Sequence, residues 1–166
     1  SATISNSYAT GDVNGVDCVG GLVGAHPYPE YSSPVGPISN CYATGNVSAT
    51  AILSSDSLKR VGGLAGYSDA ELFDSYATGT VFSKTSLADT CYTGGLVGEN
   101  RGVLHDCYAA GNVSFENTNP AASTEEYTGG LIGYNLNIPV VDCSSTGNVV
   151  GTDCTGGLIG RSLLSP

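Results

Sequence analysis

Two short motifs alternate five times along the chain, and this repetition restricts the fold more than any other feature. The first has the consensus N-[SC]-Y-A-T-G-x-V and occurs at 6–13, 40–47, 74–81, 106–113 and 142–149. The second has the consensus G-G-L-[VIA]-G and occurs at 20–24, 62–66, 94–98, 129–133 and 156–160. Regular self-similarity of this kind is typical of repeat proteins whose units stack on one another.

The length and composition of one repeat favour short strands over helices. The shortest spacings between motif glycines, 9 residues from Gly11 to Gly20 and 17 from Gly62 to Gly79, give a minimal unit of 26 residues. The 24 glycines and the abundance of Thr, Val, Ser, Asn and Tyr suit strands and turns. We therefore predict an all-β fold, a β-solenoid (parallel β-helix) of five coils, each with an A strand in the first motif and a B strand in the second.

The repeat also predicts the domain organisation and the faces of the strands. All of 1–166 is expected to form one solenoid domain, with coils at about 4–37, 38–71, 72–103, 104–139 and 140–166. Alternation along a strand places one leucine of each second motif in the core: Leu22, Leu64, Leu96, Leu131 and Leu158. It places four tyrosines in an outer stacking ladder, Tyr8, Tyr42, Tyr76 and Tyr108, which is either structural or an aromatic binding strip.

Four segments that exceed the minimal unit are predicted to protrude as loops. They are 25–37, 48–60, 82–90 and 114–127. They are either tolerated surface loops or a binding face, because insertions in repeat proteins often collect on one side. Asn46 and Asn112 each begin an N-V-S sequon and are candidates for glycosylation.

The six cysteines predict disulfides and an oxidising compartment. The simplest pairing by repeat is Cys18–Cys41, Cys91–Cys107 and Cys143–Cys154, one of the 15 possible sets. Counting from the inward leucine turns Cys18 and Cys154 inward, whereas Cys91 is one residue out of step and needs a bulge. In a rival pairing, Cys18 and Cys154 hold equivalent positions in the first and last coils and join two subunits.

The charge of the chain excludes some partners. With 15 acidic and 5 basic residues, the net charge is −10, which disfavours nucleic acid as a partner. No apolar run is long enough for membrane insertion. Asp74, Asp106 and Asp142 are expected to stack, either as turn caps or, less favoured, as Ca²⁺ ligands. No other metal site and no cofactor is predicted.

The sequences "NCYATGNV" and "VGGLVG" resemble the GLUG motif of bacterial cell-surface proteins. The resemblance covers nearly all of the chain outside the predicted loops. It implies an extracellular, repetitive and non-catalytic segment of the kind found in adhesins. The motif contains no catalytic residue to carry over.

These observations predict a non-enzymatic extracellular or cell-surface protein, secreted with its signal removed or not shown. Copies are expected to stack end to end into a filament or surface appendage, because an uncovered solenoid end is an exposed sheet edge. The alternative is a glycan- or protein-binding segment of a larger bacterial adhesin, with a host or matrix ligand. An enzyme is disfavoured because His26 and His105 lie far apart and no catalytic carboxylate pair is evident. An ice-binding face is also disfavoured, since each coil offers one Thr beside a Tyr.

Overall fold

The chain forms a parallel β-solenoid with five short strands in each of five coils. The computed structural model describes residues 2–27, 35–51, 58–86, 90–119 and 125–163, and its regular structure within these ranges is entirely β-strand. No helix long and apolar enough to cross a membrane occurs in these ranges.

The strands of the first three coils follow one pattern. Coil 1 contains β1 (Ile4–Ser5), β2 (Tyr8–Ala9), β3 (Val13–Gly15), β4 (Cys18–Gly20) and β5 (Val23–His26). Coil 2 contains β6 (Ile38–Ser39), β7 (Tyr42–Ala43), β8 (Val47–Ala51), β9 (Lys59–Gly62) and β10 (Ala65–Ser68). Coil 3 contains β11 (Leu72–Phe73), β12 (Tyr76–Ala77), β13 (Val81–Thr85), β14 (Thr90–Gly94) and β15 (Val97–Asn100).

The last two coils repeat it. Coil 4 contains β16 (Leu104–His105), β17 (Tyr108–Ala109), β18 (Val113–Asn117), β19 (Glu125–Gly129) and β20 (Ile132–Leu136). Coil 5 contains β21 (Val140–Val141), β22 (Ser144–Ser145), β23 (Val149–Val150), β24 (Cys154–Gly156) and β25 (Ile159–Leu163). Equivalent strands of successive coils pair in parallel and form five sheets, here numbered 1 to 5 in the order of the strands of coil 1.

The chain changes direction at fixed positions within the two motifs. The Asn or Asp that opens the first motif separates sheet 1 from sheet 2 and has a positive φ near 50°, as at Asn40 (φ 51°) and Asp74 (φ 50°). Asn and Asp tolerate this left-handed conformation better than other non-glycine residues. The Gly-Gly pair of the second motif ends sheet 4, and sheet 5 begins two residues later. The motifs therefore span corners, and a coil has five strands where two were predicted.

The interior is divided into two apolar clusters. The first lies among sheets 1, 2 and 5 and contains Leu64, Leu96 and Leu131, which have no exposed surface. The second lies between sheets 3 and 4 and is built from valines, including Val61 and Val81. Sheet 4 thus covers the valine cluster with one face and meets sheet 5 with the other.

Close packing of sheet 5 on sheet 4 depends on glycine. A Cβ atom at Gly66 would lie 2.8 Å from the backbone nitrogen of Val19, and one at Gly98 would lie 2.6 Å from that of Val61. Real Cβ atoms do not approach backbone so closely, so only glycine lets the two sheets meet at this distance. The last glycine of the second motif is therefore explained by packing.

The predicted loops are partly strand. Segment 48–60 contains most of β8 and the start of β9, 82–90 contains most of β13, and 114–127 contains parts of β18 and β19. The added residues extend sheets 3 and 4, because their backbones continue the parallel pairing, as Phe82 with Ser48 in sheet 3 and Thr90 with Glu125 in sheet 4. Segment 25–37 begins within β5. The remaining tips, 28–34, 52–57, 87–89 and 120–124, lie outside the described residues.

Candidate functional site: the two ends of the solenoid

The structure has one unpaired strand edge per sheet at each end of the solenoid. In every sheet the edge strands belong to coil 1 at one end and to coil 5 at the other. Edge strands present backbone N–H and C=O groups to any strand that can align with them. Among the described residues, the two ends therefore form the surface most available for pairing with another strand.

Apolar surface is concentrated at the same ends. Leu22 and Leu158 pack against the first cluster but are only partly buried, unlike the equivalent leucines of coils 2 to 4. Most of the exposed large apolar side chains also lie in coils 1 and 5: Tyr8, Val16, Val141, Val150 and Leu163. Val150 is 61% exposed. The solenoid core thus continues uncovered to both ends.

Two glycines at the ends occupy positions that need glycine only when another coil is stacked there. In the inner coils, a Cβ at Gly45 would overlap the carbonyl oxygen of Gly11, and a Cβ at Gly63 would overlap that of Gly95. At the end members of these two series, Gly11 and Gly157, no atom of the described residues lies within 4 Å of an added Cβ. No glycine in the described residues has a positive φ, so conformation does not explain these two positions.

One type of hydrogen bond recurs along the solenoid: a side-chain oxygen of one coil accepts from a backbone N–H of the next coil. Asn46 N donates to Asp12 Oδ1 at 2.7 Å, and Thr80 N donates to Asn46 Oδ1 at 3.0 Å. Asn148 N likewise donates to Asn112 Oδ1 at 2.9 Å. Asn148 occupies the next position of this series, at the open end. The sequon residues Asn46 and Asn112 are exposed and use their oxygens here, so glycosylation of their nitrogens stays a prediction.

The four tyrosines form a continuous stack on the outside of sheet 2. Ring centroids are 5.1 Å apart for Tyr8–Tyr42 and Tyr42–Tyr76 and 4.8 Å apart for Tyr76–Tyr108, with interplanar angles of 5–6°. Each inner ring has both faces covered by its neighbours. Since a sugar binds an aromatic residue through the ring face, the ladder offers only edges and its two terminal faces.

The aspartates of the first motif occupy turns. Asp74, Asp106 and Asp142 all have φ between 50° and 53°. No group of three or more potential metal-binding side chains occurs among the described residues. Asp106 instead contacts His105, whose Nδ1 lies 3.1 Å from Asp106 Oδ2. This contact raises the pKa of His105.

The predicted disulfide pairs are absent from the structure. All six cysteines are described, and no disulfide joins any two of them. Each predicted pair combines a cysteine on a strand of sheet 4 with one that precedes a strand of sheet 2. Cys41, Cys107 and Cys143 belong to the first apolar cluster. The two members of each predicted pair thus belong to different parts of the coil, and the pairing stays a prediction.

The structure differs from the predicted inward orientation of Cys18 but keeps the predicted one-residue offset of Cys91. Cys18 is half-buried and in register with Arg60, on the face opposite Val19. Alternation fails here because the Gly-Gly corner lies between Cys18 and Leu22. Cys91 needs no bulge, since it pairs in register with Lys59 and Glu126 and is 1% exposed. It points towards sheet 3, on the face opposite Tyr92.

The sequence interpretation missed an arginine–tyrosine cluster between the outer parts of sheets 4 and 5. Glu99 is 1% exposed and pairs with Arg60 and with Arg101, the latter at 2.7 Å. Both guanidinium groups lie over the ring of Tyr67, at 4.9 and 5.3 Å from its centroid. Burial raises the pKa of Tyr92 to about 12. All three arginines of the chain lie in this cluster.

The same cluster continues towards coil 5. Tyr92 stacks on Tyr134 at 4.7 Å and on Tyr127 at 5.2 Å, and Arg161 lies 4.7 Å from the ring centre of Tyr127. The sequence did contain a signal for this cluster, because Arg60, Tyr92 and Tyr127 each stand two residues before a second motif. Glu99 pairs with two of the three arginines and Arg161 lies against Tyr127, and these contacts join sheets 4 and 5.

A second missed residue is Glu126, which holds the tight turn of coil 5. Its side chain has no exposed surface, and its Oε2 accepts hydrogen bonds from Thr152 N at 2.7 Å and Asp153 N at 2.8 Å. Its Oε1 accepts one from the Thr128 hydroxyl. Burial raises the pKa of Glu126, against the effect of these hydrogen bonds. The carboxylate therefore organises a turn at the cost of a buried charge.

Glu126→Gln is expected to remove part of the pH dependence of stability. Because the pKa of Glu126 is higher in the folded state, its contribution is fully present below the unfolded pKa and is lost as pH rises through the folded value. Gln keeps one acceptor for both backbone N–H groups, and the Thr128 hydroxyl can accept from its amide. Denaturant titrations from about pH 4 to pH 8 should show that the free energy of unfolding of the variant increases relative to that of wild type as the pH rises. A constant difference would contradict this.

Comparison with known protein families identifies the repeat. The family model described as "The GLUG motif" matches residues 57–81, 89–114 and 124–150. No curated protein and no solved structure matches the chain. Each matched segment contains one second motif followed by one first motif, and therefore runs from the end of one coil into the start of the next. Residues 57–150 therefore contain three successive GLUG motifs.

Proposed function

We propose that this protein is a non-enzymatic structural protein of the cell exterior whose copies stack head to tail into filaments. The observation that carries the proposal is the pair of end glycines, Gly11 and Gly157, which are glycine although no other described residue lies within 4 Å of an added Cβ. A second copy supplies that neighbour. Coil 5 of one copy and coil 1 of the next then pair as successive coils do within the chain.

The residues at the proposed joint match in type. Continuing the observed register places Val140 next to Ile4, Val149 next to Val13 and Leu158 next to Leu22 of the following copy, all of which pack against the two clusters. The partly buried core of each end is thereby covered. Because the two ends are different surfaces of one solenoid, the joint does not close into a ring, and repeated stacking gives a filament.

The exterior location is an inference from composition and repeat type. The chain has 6 cysteines, a net charge of −10 and GLUG repeats. A binding segment of an adhesin is the alternative. The tyrosine ladder supports it less, because ring faces are covered by neighbouring rings. The ends, in contrast, leave both apolar surface and backbone groups open.

Stacking is expected to strengthen with salt. Each copy has a net charge of −10, and the joint places Asp153 near Asp17 of the next copy. Raising the salt concentration from roughly 0.01 M to roughly 0.15 M shortens the Debye length from about 30 Å to about 8 Å and screens this repulsion. The fraction of sedimenting protein should therefore rise. Weaker sedimentation at the higher salt concentration would contradict this model of the joint.

Electron microscopy of the chain under reducing conditions tests the function directly. Filaments should show a strand spacing of about 4.8 Å along the axis and a subunit repeat of about 24 Å, since each coil adds one strand spacing. Reductant removes any contribution from disulfides. Single particles about 24 Å long at every salt concentration would overturn the proposal and leave the adhesin segment as the better interpretation.

A further inference from the structure

One side-chain series on sheet 4 has cysteine at both ends and large side chains between them. The register places Cys18, Arg60, Tyr92, Tyr127 and Cys154 at one position of the five coils. We propose that Cys154 of one copy and Cys18 of the next form a disulfide that joins stacked copies covalently. This inference rests on the proposed head-to-tail stacking.

The geometry of a stacked joint suits such a bond. Adjacent parallel strands hold equivalent Cα atoms about 4.8 Å apart, and disulfides span Cα distances of about 4.4–6.8 Å. Cys18 and Cys154 each begin a three-residue edge strand, after a tight turn. The Cβ atoms must approach to about 3.5–4.5 Å, and short strands beside turns permit that adjustment. Arg60 Nη1 lies 3.8 Å from Cys18 Sγ and helps to fix its position.

The other cysteines are less suited to joining copies. Cys41, Cys91 and Cys107 are 1–2% exposed. Burial raises the pKa of Cys107 to about 12, which keeps it as an unreactive thiol. Cys143 is half-buried in coil 5, but its equivalent in coil 1 is Ser7, whereas Cys18 and Cys154 are both half-buried and stand at the open ends. Within one copy they are four strand spacings apart, roughly 19 Å, which excludes a bond between them.

The oxidation requires a disulfide donor, for which glutathione disulfide serves as the probe. The Cys154 thiolate attacks one sulfur of the probe, forms a mixed disulfide and releases one glutathione thiolate. The Cys18 thiolate of the next copy then attacks the protein sulfur and releases the second. Two protein thiols lose two electrons, the probe is reduced to two glutathione molecules, and the two protons pass to the released thiolates.

Three serine variants test this bond. Wild-type protein and the variants Cys18→Ser, Cys154→Ser and Cys143→Ser are first assembled in reductant, then treated with glutathione disulfide and separated on a denaturing gel without reductant. Wild type and the Cys143→Ser control should give a ladder of covalent oligomers, and the reductant should collapse it. Cys18→Ser and Cys154→Ser alone should lose more than about nine-tenths of the ladder. An equal mixture of the two should stop at covalent dimers, because each joint has one reactive pair.

The outcomes separate this inference from the proposed function. Filaments in reductant, with a ladder that depends on Cys18 and Cys154, support both. Filaments in reductant without a ladder, or with a ladder that survives Cys18→Ser, overturn the disulfide and leave the stacking intact. The absence of filaments under all conditions overturns both.

Discussion

Replacing Gly11 by alanine is expected to abolish head-to-tail stacking while leaving each copy folded. Within the described part of one copy, an added Cβ at this position meets no atom within 4 Å. In a stacked joint, the same Cβ would overlap the carbonyl oxygen of Gly147 of the preceding copy, as a Cβ at Gly45 overlaps that of Gly11. Backbone overlap is not relieved by side-chain movement. Sedimentation and electron microscopy should show the loss of filaments, while circular dichroism and the melting temperature stay within error of wild type.

Gly45→Ala is the matched control for this prediction. It makes the same chemical change at the same motif position but inside the chain, where the overlap with Gly11 is built in. Overpacking of this kind costs about 1–3 kcal/mol or more, so this variant should melt lower than wild type. Gly157→Ala tests the other end and should act like Gly11→Ala. Filaments of normal length from Gly11→Ala would rule out the proposed register of the joint.

The repeat allowed much of the fold to be predicted, because each motif carries its own structural reason. Regular alternation of the two motifs indicates stacked coils, and the large apolar residue common to all copies of the second motif, as at Leu96, must be inside. The prediction failed at the corners. Alternation counted from Leu22 back to Cys18 crosses the Gly-Gly pair, where one strand ends and another sheet begins. Faces can be inferred only within one strand.

Contacts between different coils were less accessible to sequence reasoning. Glu99 meets Arg60 from a position 39 residues later, and this pairing depends on how sheet 5 folds back on sheet 4. Glu126 is part of a segment that resembles a loop, yet it supports a turn that lies 26 residues further on. The edge strands of coils 1 and 5, in contrast, follow from the order of the repeats in the described residues. The candidate site was therefore more predictable than the interior charges.

Truncation of the central leucine should have the largest effect on the stability of one copy. Leu96 has no exposed surface and packs in the first cluster, so Leu96→Ala should cost about 2–5 kcal/mol in the free energy of unfolding. Leu158 is the equivalent residue at the open end and is only partly buried. Leu158→Ala should cost less, about 1–2 kcal/mol. Denaturant titration in low salt, where copies stay separate, measures both values.

Assembly should change how much Leu158 contributes. In a filament the next copy covers Leu158 as coil 4 covers Leu96, so the alanine variant loses contacts at the joint that the separate copy never makes. Each lost 1.4 kcal/mol raises the concentration needed for assembly about tenfold. Leu158→Ala should therefore raise that concentration by roughly tenfold although its separate copies remain well folded. An unchanged assembly concentration would mean that the apolar end is covered by something other than a second copy.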